Sequence, residues 1–327
     1  MMKKVLVTGA TGFLGKYVVE ELVEHGYQVR AFGRNSQVGQ SLEDSSVSFF
    51  QGDLTKAEDL LEACQGMDMV VHAGALSTIW GAWEDFYHAN VLGTKYVLEA
   101  CRQTGIQRLV YVSSPSIYAA PKDQLGIKES DAPEGNNLNN YIRSKLASEK
   151  LFKDYPDVPS IILRPRGLFG IGDTSILPRV INLSQKIGIP LIEDGRQLMD
   201  MTCVENVALA IRLALEAPEA KGEVYNITNG EPRAFRDLLE ESLTGLGYPI
   251  KYRKIPASLL SGIASSLEFI YKTLNLKGEP PLTRYTYYLL RYSQTLDISK
   301  AERELGYRPK ISISEGIEQY VQDYRKH

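Results

Sequence analysis

The first 26 residues restrict the fold of this 327-residue chain more than any other segment. Residues 4–7 form a short apolar run, as expected of a strand that is buried on both faces. From Gly12 to His25 apolar residues recur at helical spacing, and Gly26 supplies a stop signal. Glycines at positions 9, 12 and 15 allow a tight turn and close contact between strand and helix. Such a unit typically begins a parallel sheet whose faces are covered by helices.

The alternation of strands and helices continues to about Arg166. Further strands are predicted at 27–32, 47–51, 69–72, 108–113 and 160–163, and helices at 58–64, 85–104 and 139–153. Each connection is long enough for the right-handed crossover that joins parallel strands. The pattern therefore predicts an α/β fold with a Rossmann-type, doubly wound parallel sheet.

Proline and glycine interrupt shorter segments in the second half of the chain, which predicts a different architecture there. We expect one domain at 1–166 and a smaller, mostly helical domain at 167–327, since domains usually contain roughly 100–200 residues. A short strand is predicted at 191–192. The segment 204–228, with a helix and then a strand, is expected to return to the first sheet.

The net charge argues against a nucleic-acid-binding protein, and the spacing of the cysteines and histidines argues against a metal-binding or disulfide-linked one. Lys+Arg 37 against Asp+Glu 40 gives a net charge of −3, which does not favour a nucleic-acid partner. The cysteines and histidines lack the spacing of a zinc site or of a disulfide framework. They are Cys64, Cys101, Cys203, His25, His72, His88 and His327. We therefore expect no metal site.

The most apolar stretch of the chain, 258–274, contains Glu268 and Lys272 and is too polar for a membrane span. It is interpreted as an amphipathic core helix, and the alternatives are that it covers the functional cleft or touches a membrane surface. The apolar residues at the N-terminus are too few for a signal peptide. The sequence therefore predicts a cytoplasmic protein without an integral membrane segment.

The glycine turn also predicts a ligand. A backbone without side chains at these positions can approach a pyrophosphate, and the following helix offers free N–H groups and the positive end of its dipole. The first domain is therefore expected to bind a dinucleotide and the second to bind the substrate. The spacing G-x-x-G-x-x-G differs from the G-x-G-x-x-G of most dinucleotide folds.

With this spacing, the chain resembles the extended branch of the short-chain dehydrogenase/reductase superfamily, that of the NAD-dependent epimerases and dehydratases. The other segments that resemble its motifs are Gly52-Asp53-Leu54, His72-Ala73-Gly74-Ala75, Asn90-Val91-Leu92-Gly93-Thr94, Ser113-Ser114-Pro115-Ser116-Ile117-Tyr118, Tyr141-Ile142-Arg143-Ser144-Lys145 and Arg164-Pro165-Arg166-Gly167. The resemblance implies cofactor contacts, with Asp53 at the adenine. The predicted cofactor residues are Gly9, Thr11, Gly12, Phe13, Leu14, Gly15, Arg34, Asp53, Leu54, Ala73, Gly74, Ala75, Asn90, Ser113, Tyr141, Lys145 and Pro165.

Tyr141 and Lys145 lie four residues apart on a predicted helix, so both project from one face. A phenol with an ordinary pKa near ~10 is a weak acid–base catalyst at neutral pH. The ammonium group and an oxidised nicotinamide would together lower the pKa of Tyr141. By resemblance, Tyr141 exchanges the proton, Lys145 also holds the nicotinamide ribose, and Ser114 binds the substrate oxygen. Ser113 and Ser116 are the alternatives to Ser114.

The end of the second strand distinguishes two cofactors. An acidic residue there would bind the ribose 2′-hydroxyl of NAD and repel the 2′-phosphate of NADP. Here Arg34, Asn35 and Ser36 follow the strand, and the first acidic residue is Glu43. Because these side chains can bind a phosphate, NADP(H) is favoured over NAD(H). The alternative is that Arg34 is an ordinary loop cation.

Related enzymes that act on nucleotide sugars carry an arginine that binds the diphosphate where this chain has Met199, and Arg196 lies three residues earlier. Trp80-Gly81 and the segment 204–208 instead resemble the 3β-hydroxysteroid dehydrogenase-like group, which includes bacterial 2-alkyl-3-ketoalkanoate reductases. A set of aromatic residues either lines an apolar substrate cleft or belongs to the core. These are Trp80, Trp83, Phe86, Tyr87, Tyr285, Tyr287, Tyr288 and Tyr292.

The sequence thus favours an NAD(P)-dependent oxidoreductase. It would transfer a hydride between the nicotinamide and a secondary alcohol or ketone of an apolar 3-hydroxy or 3-oxo substrate, steroid-like or ketoacid-like. The alternatives are a nucleotide-sugar epimerase or dehydratase with tightly bound NAD, and a non-catalytic dinucleotide sensor. The helices at 85–104 and 139–153 correspond to those that pair in related enzymes, so the resemblance implies a homodimer.

Overall fold

The computed structural model describes residues 2–174, 176–186, 188–218 and 221–326, and His327 lies outside them. The strands are β1 (Lys4–Thr8), β2 (Gln28–Gly33), β3 (Val47–Gln51), β4 (Met69–His72), β5 (Arg108–Val112), β6 (Gln124–Ile127), β7 (Ser160–Pro165), β8 (Leu168–Phe169), β9 (Ile189–Leu191), β10 (Leu198–Met199), β11 (Thr202–Cys203), β12 (Val224–Ile227), β13 (Arg233–Ala234), β14 (Tyr252–Lys254) and β15 (Gln294–Leu296). The helices are α1 (Phe13–Glu24), α2 (Ser36–Gln40), α3 (Ala57–Cys64), α4 (Trp83–Phe86), α5 (Gly93–Thr104), α6 (Asn140–Leu151), α7 (Ile176–Lys186), α8 (Val204–Glu216), α9 (Phe235–Gly245), α10 (Ala257–Thr273), α11 (Arg284–Arg291), α12 (Ser299–Glu304) and α13 (Ile313–Tyr324).

A seven-stranded sheet in the order β12-β7-β5-β4-β1-β2-β3 forms the centre of the fold, and all its neighbouring strands are parallel. The strand order reverses between β1 and β4. In doubly wound sheets, ligands bind in the crevice at the carboxyl edge beside such a reversal. The predicted Rossmann-type sheet is confirmed.

The central strands are apolar throughout because helices cover both faces of the sheet. In β1, Val5 and Val7 contribute to the core on one face, whereas Leu6 contributes to the core on the other. Helices α1 and α8 pack together on the first face, and α3 and α5 on the second. Because these strands are parallel, their carboxyl ends all lie at one edge of the sheet.

Strand β12 pairs with β7 at one edge of the central sheet, so the chain returns to this sheet after leaving it. The remaining strands form a four-stranded sheet in the order β13-β10-β15-β6 and the pairs β11-β8 and β14-β9. Of these strands only β9 was predicted, at 191–192. The others contain two to four residues, too few for a readable alternation. The division into two domains after residue 166 stays a prediction.

The predicted helix at 85–104 is not regular. It consists of α4, a π-helical segment Tyr87–Leu92 and α5. The buried Asn90 lies in the π-helical segment, where its side chain accepts a hydrogen bond from the backbone N–H of Leu76 at 2.7 Å and donates to its carbonyl at 3.0 Å. The wider turn orients Asn90 towards this loop, as π-helical turns often do at functional sites. The predicted long helix is thus present, with a π-helical segment between its two α-helical parts.

The stretch predicted at 258–274 forms α10, which packs against α11. Leu260 is buried, whereas Leu259 and Phe269 are 55% and 70% exposed. Tyr271 makes an edge contact with Trp80, with 6.3 Å between the ring centroids. Helix α10 therefore lies beside the loop that follows β4 and keeps an exposed apolar side. None of the helices in the described ranges has the length and apolar character needed to cross a membrane.

Candidate active site

The glycine turn after β1 brings three backbone segments together. Gly9 has a φ of +73°, and a Cβ on it would lie 2.7 Å from the Cα of Gly74. A Cβ on Gly15 would lie 2.1 Å from the carbonyl oxygen of Gly9, so only glycine lets α1 approach β1 this closely. Gly12 caps α1 without a side-chain acceptor. The N–H groups of the first turn are therefore directed at the carboxyl edge, where they can bind an anion.

Three predicted cofactor residues lie between these glycines, and each has different neighbours: Thr11, Phe13 and Leu14. A Cβ on Gly33 would lie 2.7 Å from Oγ1 of Thr11, so Thr11 touches the end of β2. Phe13 makes an edge contact with Tyr17, at 5.9 Å between ring centroids. Leu14 packs against the core beneath the sheet. Thr11 thus lies where the second strand ends, whereas Leu14 stabilises the core.

Arg34 and Asp53 lie close together beyond the ends of β2 and β3. The backbone N–H and the hydroxyl of Thr55 both donate to Asp53 at 2.9 Å. These hydrogen bonds lower the pKa of Asp53, and the charge of Arg34 lowers it further. Asn35 uses its side chain to cap α2 by accepting from the N–H of Val38 at 3.1 Å. Arg34 remains exposed and is the cation closest in sequence to the end of β2.

The loop after β4 packs onto the segment after β3. A Cβ on Gly74 would lie 2.9 Å from Cδ1 of Leu54 and 3.2 Å from the backbone nitrogen of Gly9. Ala73 packs against the core, and Ala75 is half-buried. The structure therefore brings Gly9, Leu54 and Gly74 together, although they are far apart in the sequence.

A chain of hydrogen bonds runs beneath this loop. The N–H of Gly74 donates to Thr8 Oγ1 at 3.2 Å, and Thr8 Oγ1 lies 2.7 Å from His72 Nδ1. His72 Nε2 lies 3.2 Å from Thr94 Oγ1, which donates its own proton to the Asn90 carbonyl at 2.6 Å. The hydrogen-bond pattern therefore assigns the His72 proton to Nε2. Burial lowers the pKa of His72 to about 3, so this histidine is neutral and links the strands.

Asn90 was predicted to contact the cofactor, yet its side-chain amide is engaged within the protein. Besides its bonds to Leu76, its Nδ2 donates to Ser144 Oγ at 2.9 Å. The backbone carbonyl of Asn90 accepts a hydrogen bond from Ser148 Oγ, also at 2.9 Å. Asn90 therefore positions the loop after β4 against α6, and a direct contact with a cofactor stays a prediction.

Tyr141 and Ser114 lie next to each other where α6 begins and β5 ends. Ser114 also donates to Ser116 Oγ at 2.9 Å. Burial raises the pKa of Tyr141 to about 12, and the neighbouring hydroxyl of Ser114 opposes this rise. The protein groups alone thus shift this pKa upward. That direction is opposite to the lowering predicted for the complex with Lys145 and an oxidised nicotinamide.

Lys145 lies one turn after Tyr141 on α6 and is buried. Its ammonium donates to the carbonyl of Val112 at 2.9 Å and lies 3.4 Å from the hydroxyl of Tyr111. Burial lowers the pKa of Lys145 to about 8, and the charge of Glu149 opposes this lowering. The predicted pair of Tyr141 and Lys145 on one helix face is present.

Glu149, one turn beyond Lys145, is a residue that sequence reasoning missed. Its carboxylate accepts two hydrogen bonds from Arg164, at 3.0 and 2.6 Å, and one from Ser113 Oγ at 2.5 Å. Ser113 therefore directs its hydroxyl to Glu149, whereas Ser114 contacts Tyr141. The geometry favours Ser114 over Ser113 as the substrate-binding serine. The four-residue spacing from Tyr141 through Lys145 to Glu149 is the sequence signal that could have found it.

Arg166 and Tyr285, from the second half of the chain, also lie at the candidate active site. Arg166 is buried just after β7, of which Pro165 is the last residue, and donates to Gln294 on β15. Burial raises the pKa of Tyr285, and the charge of Arg166 opposes this rise. Tyr285 in turn contributes to the raised pKa of Tyr141, and both tyrosines pack against one apolar cluster. Sequence reasoning gave no role to Arg166 itself.

The aromatic residues proposed for a cleft divide into two sets. Phe86 is fully buried with its ring centroid 6.4 Å from that of Tyr141, and Trp83 lies under the guanidinium of Arg143 at 3.6 Å. Trp80 contacts α10, and Tyr87 is 38% exposed. By contrast, Tyr287, Tyr288 and Tyr292 contact one another and pack with α10. In the first set Phe86 adjoins Tyr141, whereas the second set belongs to the core between α10 and α11.

Metal binding finds no support in the described part of the chain. No three side chains of His, Cys, Asp or Glu are grouped there as metal ligands. Cys64, Cys101 and Cys203 are buried free thiols.

Comparison with known proteins places the chain in a family. The model of the NAD dependent epimerase/dehydratase family matches residues 5–228. A 2-alkyl-3-oxoalkanoate reductase from Stenotrophomonas maltophilia (strain K279a) is 36% identical in an alignment of 322 positions that covers 96% of this chain and 97% of that protein. The sterol-4-alpha-carboxylate 3-dehydrogenase, decarboxylating, of Mus musculus is 33% identical in an alignment of 334 positions that covers 98% of this chain and 91% of that protein.

A solved structure agrees with the fold. The UDP-glucuronic acid 4-epimerase from Bacillus cereus, in complex with NAD, superposes with a TM-score of 0.78 at 24% identity and covers 98% of this chain and 99% of that one. The predicted resemblance, including that to the 3β-hydroxysteroid dehydrogenase-like group, is confirmed by the two sequence relatives. The chain therefore belongs to the NAD-dependent epimerase/dehydratase family and is an enzyme of the extended short-chain dehydrogenase/reductase type.

Proposed function

We propose that this enzyme is an NADP(H)-dependent oxidoreductase. It transfers a hydride between the nicotinamide and a secondary alcohol or ketone of an apolar 3-hydroxy or 3-oxo compound. The observation that carries the proposal is the placement of the Ser114 hydroxyl beside Tyr141, with Lys145 one helical turn further along α6. The two sequence relatives support it, since one is named as a reductase of 2-alkyl-3-oxoalkanoates and the other as a 3-dehydrogenase of sterol carboxylates.

The proton chemistry follows from these three side chains. With a pKa of about 12, Tyr141 is protonated at neutral pH and can give its proton to the oxygen of a ketone as that oxygen gains charge. Ser114 stabilises the same oxygen by donating a hydrogen bond. The ammonium of Lys145 stabilises the phenolate that remains on Tyr141. The bound nicotinamide supplies the hydride in this direction and accepts it in the reverse one.

The residues at the carboxyl edge fit a dinucleotide. The uncapped first turn of α1 suits the pyrophosphate, and Lys145 is placed to reach the nicotinamide ribose. The family is described as NAD dependent, and the structural neighbour holds NAD. Preference for NADP(H) is supported by the exposed Arg34 and by the absence of an acidic residue from 33–36. The direct contacts of the individual cofactor residues, the homodimer and the cytoplasmic location remain predictions.

The test of this proposal is the replacement Tyr141→Phe. We expect turnover of the best ketone or alcohol substrate to fall about 100-fold to 10,000-fold, because general acid–base catalysis contributes this much. NADPH affinity, measured by fluorescence titration, is expected to stay within about twofold of the wild type. Tyr324→Phe removes a hydroxyl from α13, distant in the chain, and serves as the matched control. Undiminished turnover in Tyr141→Phe would contradict the proposal.

The nucleotide-sugar alternative has the support of a shared fold. Met199 stands where the resemblance places a diphosphate-binding arginine, and it packs against an apolar cluster with Phe169 and Leu238. Arg196 is exposed three residues earlier. Binding of UDP-glucuronic acid by the purified protein, together with NAD that stays bound through purification, would favour this alternative.

A further inference from the structure

Exposed apolar side chains are concentrated along α10 and the residues that follow it. Within the described residues, those of this segment are Leu259, Ile263, Phe269, Ile270, Leu274 and Leu276, with 41% to 70% of their surfaces exposed. The large apolar residues exposed elsewhere in the described ranges are scattered: Met2, Tyr87, Leu125, Ile171 and Tyr324. Single exposed apolar residues are ordinary, whereas a contiguous group of them marks a surface that binds a partner or a membrane.

Four of these side chains form one stripe along the helix. The apolar stripe consists of Leu259, Ile263, Ile270 and Leu274. Successive members are separated by four, seven and four positions, which places them on one face of an α-helix. Leu260 and Ala264 lie on another face and are buried in the core that α10 shares with α11. Helix α10 therefore has a second apolar face, which the described residues leave exposed.

The charged residues of this segment are mostly cations. The exposed cations between residues 251 and 277 are Lys251, Arg253, Lys254, Lys272 and Lys277. Lys254 pairs with Asp194 at 2.7 Å, on the N-terminal side of α10. The chain as a whole has a net charge of −3, so this stretch differs in sign from the rest of the protein. The apolar stripe thus has positive charge at both ends.

The carboxylates near the stripe are already engaged. Glu268 is 6% exposed and accepts hydrogen bonds from the backbone N–H and the Nε–H of Arg284, at 2.7 and 2.9 Å. Glu279, beyond the last of the cations, pairs with Arg179 at 3.1 Å. Neither carboxylate therefore offsets the positive charge on the exposed face of α10.

This charge distribution distinguishes two kinds of partner. If a second copy paired its own α10 in the antiparallel direction, the cations at 251–254 would meet those at 272–277 of the other copy, and like charges brought together oppose association. An anionic lipid surface complements both properties of the face. Apolar side chains enter the boundary between headgroups and acyl chains, and lysines and arginines bind the negative surface.

The apolar stripe lies close to the candidate active site. Tyr271 of α10 makes its edge contact with Trp80, and the carbonyl of the next residue, Gly81, accepts a hydrogen bond from Asn140 Nδ2 at 2.9 Å. Asn140 directly precedes Tyr141 on α6. Two consecutive contacts thus connect α10 with the start of α6. A membrane bound at α10 would therefore adjoin the loop beside Tyr141.

We infer that the exposed face of α10, which comprises the apolar stripe and Phe269, docks onto an anionic lipid surface. The apolar side chains insert among the lipids, and the cations at both ends of the helix bind the headgroups. The protein attaches peripherally and has no need of a spanning segment. The inference is independent of the proposed reaction, since binding to vesicles is measured without substrate or cofactor.

The experiment measures co-sedimentation of the full chain with vesicles of phosphatidylcholine alone and of equimolar phosphatidylcholine and phosphatidylglycerol. We expect the wild type to bind the mixed vesicles at least about tenfold more tightly, and added salt to reduce this difference. Phe269→Ser combined with Leu274→Ser should weaken binding to mixed vesicles at least about tenfold. These side chains are 70% and 65% exposed, so the double variant should fold normally. Met2→Ser combined with Leu125→Ser removes two side chains that are 61% and 63% exposed elsewhere and is the matched control.

A second pair of variants tests the cations. Lys272→Gln combined with Lys277→Gln should weaken binding to mixed vesicles about tenfold to thirtyfold and leave binding to neutral vesicles unchanged, because each cation near an anionic surface strengthens binding about fivefold. Lys56→Gln combined with Lys153→Gln changes the net charge by the same amount at two exposed positions elsewhere and should bind as the wild type does.

Sedimentation analysis of the same proteins without vesicles identifies the competing occupant. An association state shared by the wild type and the serine variant supports the inference. An oligomer that dissociates in Phe269→Ser with Leu274→Ser would overturn it, because a second copy would then cover the face. The inference would also be overturned if the wild type bound neither kind of vesicle, if it bound both equally, or if the serine and glutamine variants bound as tightly as their controls.

Discussion

Glu149 and Arg164 form a doubly hydrogen-bonded ion pair, at 3.0 and 2.6 Å, one helical turn beyond Lys145. Both side chains are almost fully buried, with 10% and 5% of their surfaces exposed. The same carboxylate accepts from Ser113, beside the proposed catalytic Ser114. This pair therefore joins β7, α6 and the end of β5 directly behind the candidate active site.

Replacing Glu149 by Gln is expected to lower the free energy of unfolding by about 3 kcal/mol, because it leaves Arg164 buried without its counter-ion. Glu149→Gln also removes a negative charge that raises the pKa of Lys145. The pKa of Lys145 is therefore expected to fall further, and activity should be lost at a lower pH than in the wild type. Urea denaturation and a pH profile of kcat/KM measure both effects. The control Glu99→Gln breaks an exposed pair with Lys95 and should change stability by less than about 0.5 kcal/mol. Equal effects of the two replacements would contradict the assignment.

The neighbouring serines offer a second prediction. Ser114→Ala should reduce kcat/KM about 100-fold, because it removes the donor to the substrate oxygen. Ser113→Ala removes a bond to Glu149 and should cost about 2 kcal/mol of stability with little change in kcat/KM. Steady-state kinetics and thermal denaturation distinguish the two roles. The reverse pattern would assign the substrate contact to Ser113.

The segments nearest the glycine turn could be predicted from sequence because their signals are local. Strands β1 and β4 contain continuous apolar runs, the glycines fall within seven consecutive residues after β1, and the Tyr141–Lys145 spacing lies within α6. The π-helical turn could not be predicted in this way, since it depends on a bond between Asn90 and Leu76, fourteen residues earlier.

The parts of the site that sequence reasoning missed are those built across long distances in the chain. Arg166 meets Gln294, 128 residues later, on a strand of three residues. Nothing in the local pattern around either residue indicates that they meet. Glu149 is the exception, because its spacing from Lys145 was visible and its importance was not recognised.

Because Lys145 is buried, the free energy of unfolding should depend on pH. Its pKa is lowered from the ordinary 10.5 to about 8, so between pH 8 and 10 the unfolded chain binds more protons at this group than the folded chain does. The free energy of unfolding contributed by Lys145 therefore rises with pH in this window. Subtracting the stability of Lys145→Met from that of the wild type at pH 7, 8, 9 and 10 isolates this rise. Lys95→Met, an exposed control on α5, should give a flat difference. A flat or falling difference for Lys145 would contradict its burial as a titrating group.

Arg34 should determine the cofactor preference. Arg34→Ala is expected to raise the KM for NADPH at least about tenfold, because a charge-assisted bond to the 2′-phosphate is lost, and to leave that for NADH unchanged. Lys56→Ala, which removes a nearby exposed cation, is the control. If Arg34→Ala raises the KM for NADPH and the KM for NADH equally, or raises neither, Arg34 is an ordinary loop cation.

The most direct measurement follows deuterium from NADPH labelled at the reactive carbon of the nicotinamide into the product of an apolar 3-oxo acid. An oxidoreductase that exchanges its cofactor in every cycle is expected to place one deuterium in each product molecule and to release one NADP+. Tyr141→Phe should slow this transfer about 100-fold to 10,000-fold. Product or epimer formed without deuterium, by protein that retains stoichiometric NAD through purification, would contradict the proposed function and favour a recycling epimerase.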